Sequence, residues 1–344
     1  MAKSNQGYFD VLVLGAGPAG TAAAISAAKA GLKVAIVERS VFPRYRPGEA
    51  LHPGMRPLFA QLGVEQEIEK SNFLTFEGIW REFNGNREFT RFGPIDDPEW
   101  LGLQADRSKL DDILLRQAMR VGVKVFQPAK ALAPLIDGQV GRVYGLETSA
   151  GEIHARFTID AGGGSHWMAR RLGIEVKKYS PLLIANFDYE SSCAIPDDQL
   201  PLIENTPDGW IWHAKIAANN YQWVELKFNR GDSTSSRRNN SKSVDVTWRC
   251  AEFSASDGFF LTGDASFVVD PASSHGVLRS VMTGIMSIHV VLQILREPSR
   301  ETELGNFYNN WISDWFTNEA KQLKAAYARN SQLSVWPETT FAPI

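Results

Sequence analysis

The start of the chain alternates apolar runs with a glycine-rich turn. Residues 9–14 form a short apolar run, residues 15–20 contain three glycines, residues 21–30 are rich in alanine, and residues 34–37 are again apolar. An apolar run of this length predicts a buried strand, and the alanine-rich stretch predicts a helix. Gly31 follows the helix at the position where left-handed backbone often ends one. The pattern therefore predicts a βαβ unit.

The rest of the chain returns to the same alternation of strands and helices. Residues 79–92 predict two strands around an Asn84-Gly85 turn, and residues 181–228 are aromatic and strand-like. The polar run 231–243 predicts an exposed or disordered loop. Helices are predicted over 53–62, 109–121, 277–295 and an amphipathic tail containing Leu304 to Tyr327, and strands over 123–126, 140–148, 153–159 and 259–262.

The glycines of residues 15–20 have the spacing of a dinucleotide-binding loop. Gly15 permits the tight turn, Gly17 lets backbone amides approach a pyrophosphate, and Gly20 allows the helix to pack closely on the strand. The helix that follows directs its positive end at the anion, so no lysine is needed. Glu38, at the end of the second strand, can accept hydrogen bonds from both ribose hydroxyls, which favours NAD or FAD over NADP.

Further motifs follow this loop in a recognisable order. They are Asp106-Arg107-x-x-Leu110, Asp160-Ala161-x-Gly163-x-Ser165 and Gly263-Asp264-Ala265. With the glycine loop, they resemble the FAD-dependent monooxygenase superfamily, which includes the p-hydroxybenzoate hydroxylase type, the flavin-dependent halogenases and the geranylgeranyl reductases. The resemblance implies FAD, with Arg107 near its phosphate or adenine side and Asp264 accepting hydrogen bonds from the ribityl chain. The alternatives are a salt bridge of Arg107 with Asp111 or Asp112, and a helix cap at Asp264.

Two segments narrow the resemblance to the halogenase-like branch. Residues 48–53 are similar to its Gly-Glu-Ser-Leu-x-Pro segment, and residues 270–277 to its Asp-Pro-x-x-Ser-x-Gly-Val segment. Residues 210–212 match half of its Trp-x-Trp-x-Ile-Pro signature. Halogenases carry an essential lysine shortly after the Gly-Glu segment, and residues 73–79 contain none. The resemblance is therefore to a branch without the halogenating lysine.

The candidate site residues fall into two groups, with no metal ligands predicted. His52 and His275 lie in segments that the resemblance places beside the flavin ring, and His213 lies on the aromatic strands; each is a candidate for acid–base chemistry or is simply structural. The predicted FAD-binding residues are Gly15, Gly17, Pro18, Ala19, Gly20, Glu38, Arg39, Arg46, Glu49, Arg107, Gly263, Asp264, Pro271, Gly276 and Val277.

The leading functional prediction is an FAD-dependent monooxygenase that hydroxylates an aromatic group through a flavin C4a-hydroperoxide. One alternative is a flavoprotein that modifies a protein tryptophan during tryptophylquinone cofactor maturation, and another is an isoprenoid-type FAD reductase; halogenation is disfavoured. Electrons are expected from NADH or NADPH docking near residues 160–162, or from a separate reductase that supplies reduced flavin. The substrate is expected to be an aromatic small molecule or a protein tryptophan, with a reductase or a client protein as further candidate partners.

The composition argues against a nucleic-acid-binding, a secreted or a membrane-spanning protein. A net charge of -3 with 22% charged residues gives no reason to expect a nucleic-acid partner. Two cysteines, Cys193 and Cys250, do not form a secreted disulfide framework, so a cytoplasmic location is expected. The apolar stretches 11–30 and 277–295 contain glycines or polar residues and are not expected to span a membrane.

The predicted fold class is α/β: a Rossmann-like FAD-binding domain with an inserted antiparallel β-sheet substrate domain and a C-terminal helix. The FAD-binding domain is expected to comprise residues 1–70, 100–180 and 250–296. Residues 71–99 and 181–249 are assigned to the substrate-side sheet, and residues 297–344 to a helical tail.

Overall fold

The computed structural model describes residues 5–83, 85–93, 100–206, 208–228 and 241–328, and it confirms the predicted α/β class. The helices are α1 Pro18–Lys29, α2 Met55–Leu62, α3 Glu65–Glu69, α4 Arg107–Arg120, α5 Trp167–Leu172, α6 Gly276–Arg296 and α7 Glu301–Ala328. The strands are β1 Asn5–Leu14, β2 Val34–Val37, β3 Glu49–Leu51, β4 Leu74–Phe76, β5 Gly78–Phe83, β6 Asn86–Arg91, β7 Gly102–Ala105, β8 Lys124–Phe126, β9 Ala131–Ile136, β10 Val143–Thr148, β11 Gly151–Asp160, β12 Val176–Lys178, β13 Ile184–Glu190, β14 Leu202–Thr206, β15 Gly209–Ala217, β16 Asn220–Lys227, β17 Lys242–Asp245, β18 Arg249–Ala251, β19 Ala255–Ser256, β20 Phe259–Leu261 and β21 Phe267–Val268.

The first βαβ unit forms the centre of the main sheet. β1 pairs in parallel with β2 on one side and with β11 on the other, and in the described ranges the path through this sheet is β19-β20-β11-β1-β2-β8. Val11, Leu12 and Val13 are fully buried because helices or other layers cover both faces of β1. α1 begins at Pro18, three residues before the predicted start, since proline suits the first helical position.

The aromatic strands form a second sheet. Its order in the described residues is β17-β13-β16-β15-β14-β5-β6, so the predicted hairpin around residue 85 joins strands that lie more than a hundred residues further along the chain, as in the pairing of Trp80 with Leu202. Asn84 itself and residues 231–240 of the predicted polar loop lie outside the described residues, and residues 242–245 form β17 rather than loop. Between the two large sheets lies a small one with the order β3-β7-β4.

The two long helices close the fold. α6 packs so tightly on α1 that a Cβ on Gly284 would lie 2.3 Å from the Ala19 carbonyl oxygen, and only glycine permits this approach. Of the described helices, α6 alone is long and apolar enough to cross a membrane, and 56% of that stretch is buried inside the protein. α7 crosses the molecule: Tyr308 donates to the Leu261 carbonyl, while Tyr327 reaches Asp270 beside the second sheet.

Candidate functional site

The glycine loop has a shape that only glycine allows at two of its three positions. Gly15 has a φ of +97°, and a Cβ there would lie 2.5 Å from the Ala161 carbonyl oxygen. A Cβ on Gly20 would lie 1.9 Å from the Gly15 carbonyl oxygen. Gly17 differs, because the nearest atom to its Cβ position is an Arg44 nitrogen at 3.5 Å, an ordinary contact. Gly15 and Gly20 thus serve the fold itself, whereas Gly17 leaves room in front of the loop.

The carboxylate of Glu38 closes this loop from the second strand. It is 3% exposed and accepts hydrogen bonds from the Ala16 and Ser40 amides, each at 2.8 Å. A carboxylate has about four lone-pair positions, and beyond the two amides Glu38 meets only Arg44 Nη1, at 3.4 Å from each oxygen. At the other side, the N-terminus of α1 has no side-chain cap and begins with proline. Both features fit a ribose and a pyrophosphate.

Several arginines converge beside the loop. Arg44 contacts Glu38 at 3.4 Å and Asp111 at 3.5 Å, both at the long end of the hydrogen-bond range, and its buried Nε has no hydrogen-bond partner within the described protein. Partial desolvation in the cleft, followed by repulsion from Arg44 and Arg107, lowers the pKa of Arg46. Arg39 is exposed at the end of β2. The positive charge of these arginines fits the phosphates of a dinucleotide.

Arg107 holds the far side of the same cluster. It contacts Asp111 Oδ1 at 3.0 Å and Glu49 Oε1 at 3.2 Å, so the predicted salt bridge with Asp111 is present. Although desolvation lowers its pKa, the two carboxylates outweigh that effect and raise the pKa of Arg107. Burial likewise raises the pKa of Glu49, against the influence of Arg107. Arg107 therefore ties α4 to β3 in front of the arginine cluster.

A cleft of about 410 Å³ opens between this cluster and the second sheet. Its walls include Arg44, Arg46, Tyr189 and Ile216. The Tyr189 hydroxyl accepts a hydrogen bond from the Gly48 amide at 2.6 Å, and burial raises the pKa of Tyr189 to about 12. The hydroxyl therefore stays neutral and fixes the segment before Glu49 against the sheet.

Asp264 lies in the short 3₁₀ turn Gly263–Ala265, with its side chain 47% exposed. Arg279 Nη2 donates to its Oδ1 at 2.9 Å. The residue that caps α6 is His275, so the alternative of a helix cap at Asp264 is wrong. Gly263 has a φ of +56°, which turns the chain toward α1. A half-exposed carboxylate held by one arginine can still accept hydrogen bonds from a polyol.

A buried histidine supports this turn from behind. His166 is 0% exposed; its Nε2 accepts from Arg249 Nε at 2.9 Å, so its Nδ1 donates to the Ala265 carbonyl at 2.9 Å. Burial lowers the pKa of His166 to about 4. His166 therefore remains neutral and holds the turn that presents Asp264.

The segment before α6 is anchored by Asp270, which is fully buried. Its carboxylate accepts from Trp248 Nε1 and the Tyr327 hydroxyl, each at 2.7 Å, and from the Ala272 amide at 3.0 Å. Burial raises its pKa. Pro271 begins a 3₁₀ turn directly after it, and Gly276 and Val277 begin α6, with Val277 3% exposed. The segment is thereby fixed at both ends.

His52 and His275 are brought together at the end of this segment. Their ring centroids are 6.0 Å apart, and Phe92 and Trp100 lie against His52 at 5.5 and 6.2 Å. His52 Nδ1 accepts from the Gly54 amide, so the neutral ring carries its proton on Nε2. Burial, and then His275, lower the pKa of His52. The four rings will be called the aromatic recess.

Comparison with known proteins agrees with this geometry. The family model for an FAD binding domain matches residues 8–224. The chain belongs to this FAD-binding family. It is a flavin-dependent enzyme, and it is similar to members of the monooxygenase superfamily and of its halogenase-like branch, in agreement with the ordered motifs.

Its relatives include enzymes with different activities. A 1H-pyrrole-2-carbonyl-[peptidyl-carrier protein] chlorinase of Pseudomonas fluorescens Pf-5 is 27% identical, covering 90% of this chain and 82% of the relative. A tryptophan 2-halogenase of Chondromyces crocatus is 26% identical, covering 94% and 68%. Among solved structures, the myxobacterial chondrochloren halogenase CndH superimposes with a TM-score of 0.83 at 24% identity, covering 93% and 82%. PqsL of Pseudomonas aeruginosa, described as a probable FAD-dependent monooxygenase, has a TM-score of 0.79 at 15% identity, covering 96% and 97%.

His213 is not brought to the recess. On β15, Trp212 and Ala214 are buried on the face that also carries Ile216, which lies beside Gly48. Because successive side chains of a strand point to opposite faces, His213 is on the other face, where its Nε2 lies 3.7 Å from Glu204. His213 is therefore separated from His52 and His275 by the sheet itself.

Sequence reasoning missed three residues that support the site. His166 follows the Asp160 motif directly, so the motif was a usable signal for it. Arg279, on the second turn of α6, was noted only as a polar interruption of an apolar stretch, and Glu319 lies in the tail helix without any motif. Both are buried ionised residues, which in folded proteins require partners.

Proposed function

We propose that the chain is an FAD-dependent monooxygenase that hydroxylates an aromatic group. Bound FAD, once reduced, would supply the activation of O2 and an electrophilic oxygen atom. Gly17 and the N-terminus of α1 would hold its pyrophosphate, Glu38 its ribose, and Asp264 its ribityl chain. The aromatic recess carries the proposal, because it sets two histidines against apolar rings at the N-terminus of α6, the helix whose Arg279 holds Asp264.

The recess suits an aromatic substrate with a polar substituent. The ring edges of Phe92 and Trp100 provide apolar contact, and His52 offers an N–H at Nε2 to a substrate oxygen. On the second sheet, the Trp212 indole N–H and both amide atoms of Gln222 are buried without a hydrogen-bond partner in the described protein. Buried polar groups normally have partners, so these atoms favour a ligand that carries hydrogen-bonding groups.

The lysines described near this part of the chain are engaged elsewhere. Lys109 Nζ donates to the Ser71 carbonyl, and Lys215 pairs with Asp197 on the outer face of the second sheet. Residues 73–79 contain no lysine. Without an amine at the recess, oxygen transfer is favoured over halogenation.

The test uses the FAD-loaded protein with a panel of aromatic compounds, including 2-aminobenzoylacetate, with which a PqsL structure was solved. Electrons come from NADH, from NADPH or from separately reduced FAD, in the presence of chloride and bromide. We expect O2 uptake and a product heavier by one oxygen atom in mass spectrometry. A halogenated product, or no O2 uptake with any donor, contradicts the proposal.

A matched pair of histidine variants connects this activity to the recess. His52→Ala should lower turnover about 100-fold, which is the lower end of what one acid–base or hydrogen-bonding group contributes. His154→Ala, which changes a partly exposed histidine on β11, should leave turnover unchanged. Equal effects of the two variants would remove the recess from the reaction.

Halogenation is the second candidate, and it is favoured by the relatives that are halogenases, the pyrrole chlorinase and the tryptophan 2-halogenase. The same assay distinguishes it by the product mass. A reductase activity is favoured by one further relative, a digeranylgeranylglycerophospholipid reductase of Methanosphaerula palustris at 23% identity. It predicts turnover without O2, so an anaerobic arm separates it. A protein tryptophan as substrate predicts that small aromatics stay unmodified while a client protein gains mass.

A further inference from the structure

The tail helix α7 contributes a buried carboxylate to the recess. Glu319 is 5% exposed, although charged residues are rarely buried without a partner. Its Oε2 lies 3.5 Å from Arg279 Nη1, a long contact, and its Oε1 has no hydrogen-bond partner within the described protein. A buried carboxyl oxygen without a hydrogen-bond partner is costly. The position therefore calls for a donor that can approach Oε1.

His275 is the group placed to provide that donor. Its Nδ1 lies 3.8 Å from Glu319 Oε1, slightly beyond hydrogen-bond length. Contacts of this kind are often long in the free enzyme and shorten when ligands bind. The other charged or titratable groups around this pair include His52, across the recess, Arg279, which is shared with Asp264, and the buried Asp270, whose carboxylate repels that of Glu319. Charges thus alternate in sign from Asp264 through Arg279 to Glu319.

We propose that Glu319 is a positioning residue that holds His275 in the tautomer with its proton on Nδ1. The unprotonated Nε2 of His275 is then available to the substrate. It accepts the proton of a substrate O–H or ring N–H as the aromatic ring is attacked, and the imidazolium that forms is balanced by Glu319. His275 is the catalytic base in this scheme, and α7 becomes part of the site rather than a packing element. The role of His275 as a base rests on the proposed oxygenation, whereas the position of the proton on its ring does not depend on that reaction.

Replacement of Glu319 by glutamine gives a sharp structural test. A carboxamide that accepts from Arg279 through its oxygen turns its NH2 group toward His275, and Nδ1 must then become the acceptor. The proton moves to Nε2. We expect ¹⁵N spectra of histidine-labelled protein, recorded well above the ordinary histidine pKa of about 6.5, to show His275 with an Nδ1 proton in the parent chain and an Nε2 proton in Glu319→Gln. The chain has six histidines, and a His275→Gln variant assigns the signal.

The matched control is Glu152→Gln, since Glu152 faces His154 at 3.5 Å on the surface and the same change there should leave His275 untouched. Glu319→Asp retains the charge and should keep the Nδ1 proton and part of the activity. If the oxygenase assay succeeds, Glu319→Gln should lower kcat about 100-fold with little change in KM or FAD affinity.

An Nε2 proton on His275 in the parent chain, or an unchanged Nδ1 proton in Glu319→Gln, overturns the inference whatever reaction the enzyme performs. If Glu319→Gln does not fold, Glu319→Asp and the parent spectrum decide. If the tautomer behaves as expected and no oxygenated product forms, the positioning role stands and the proposed function fails.

Discussion

Replacement of Gly17 and of Gly20 should have different effects on the protein, although both glycines belong to the phosphate loop. Gly20→Ala and Gly17→Ala add the same methyl group at positions three residues apart. At Gly20 the new Cβ would lie 1.9 Å from a backbone carbonyl oxygen, and at Gly17 it would lie 3.5 Å from the end of a flexible arginine. The first change collides with the fold, and the second fills only the space in front of the loop.

The expected magnitudes follow from these distances. A backbone oxygen cannot be displaced without moving the start of α1, so Gly20→Ala should cost about 3 kcal/mol, at the upper end of overpacking effects. With an unfolding entropy of about 2.1 cal/mol/K per residue, a chain of 344 residues then melts ~4 °C lower. Gly17 has an extended backbone with φ of -74°, which alanine adopts freely. The loss of a good N-cap and the reduced entropy of the unfolded chain nearly cancel there, to within about 1 kcal/mol.

The assay is a thermal melt of the FAD-free protein, together with titration of FAD by fluorescence quenching. Gly17→Ala should melt like the parent and bind FAD at least ~10-fold more weakly, a loss of about 1.4 kcal/mol, because its methyl group stands where the pyrophosphate approaches. Gly20→Ala should melt lower before any FAD is added. Unchanged FAD affinity in Gly17→Ala, or an unchanged melting point in Gly20→Ala, would refute this division of roles.

Two further predictions concern buried ionisable groups. Burial lowers the pKa of His166 to about 4, so the stability that this residue contributes is complete above its unfolded pKa of about 6.5 and is lost as the pH falls toward 4. Burial raises the pKa of Asp160 to about 6, so the effect of this residue is opposite: the protein loses stability as the pH rises from about 4 to 6. The free energy of unfolding, measured in urea as a function of pH, should therefore fall less between about pH 6.5 and about pH 4 in His166→Gln than in the parent chain, and more in Asp160→Asn. Curves for both variants that run parallel to that of the parent chain would contradict these assignments. Tyr327→Phe should lower the free energy of unfolding by about 1–3 kcal/mol, because it removes one donor to the buried Asp270 carboxylate. Asp270→Asn should lower it at least as much, because the new NH2 group must face another donor, either the Trp248 indole or the Ala272 amide. Thermal melts compare the two, and a harmless Asp270→Asn would disprove the anchoring role.

The cofactor half of the site could be predicted from sequence because its requirements are local. A positive φ and a close backbone approach demand glycine, so Gly15 and Gly20 are visible without a structure. Glu38 can be predicted as well, because it comes directly after β2, the second strand of the βαβ unit. Arg107 was harder, since the residues around it predicted both the cofactor contact and the salt bridge with Asp111, and the structure contains the latter.

The reactive half could not be predicted in the same way, because its contacts join distant segments. His52 and His275 were candidates through their motifs alone, and nothing in the sequence indicated that their rings meet. His213 was chosen by the same chemistry, but the alternation of β15 places it on the opposite face. Glu319 belongs to no motif at all, and only the packing of α7 brings it to His275.

The separation of a cofactor half from a reactive half also explains why relatives with different activities share the fold. What the family model matches is the dinucleotide frame, whose glycines and carboxylates serve any reaction of bound FAD. The outcome of the reaction depends on what faces the flavin: an amine, a base or an apolar ring. We propose that two histidines occupy that place in this chain, with Glu319 beside one of them, whereas the described Lys109 donates to the Ser71 carbonyl. Removal of a substrate proton accompanies ring hydroxylation and ring halogenation alike, so the tautomer of His275 tests how the base is positioned, and only the mass of the product distinguishes the two reactions.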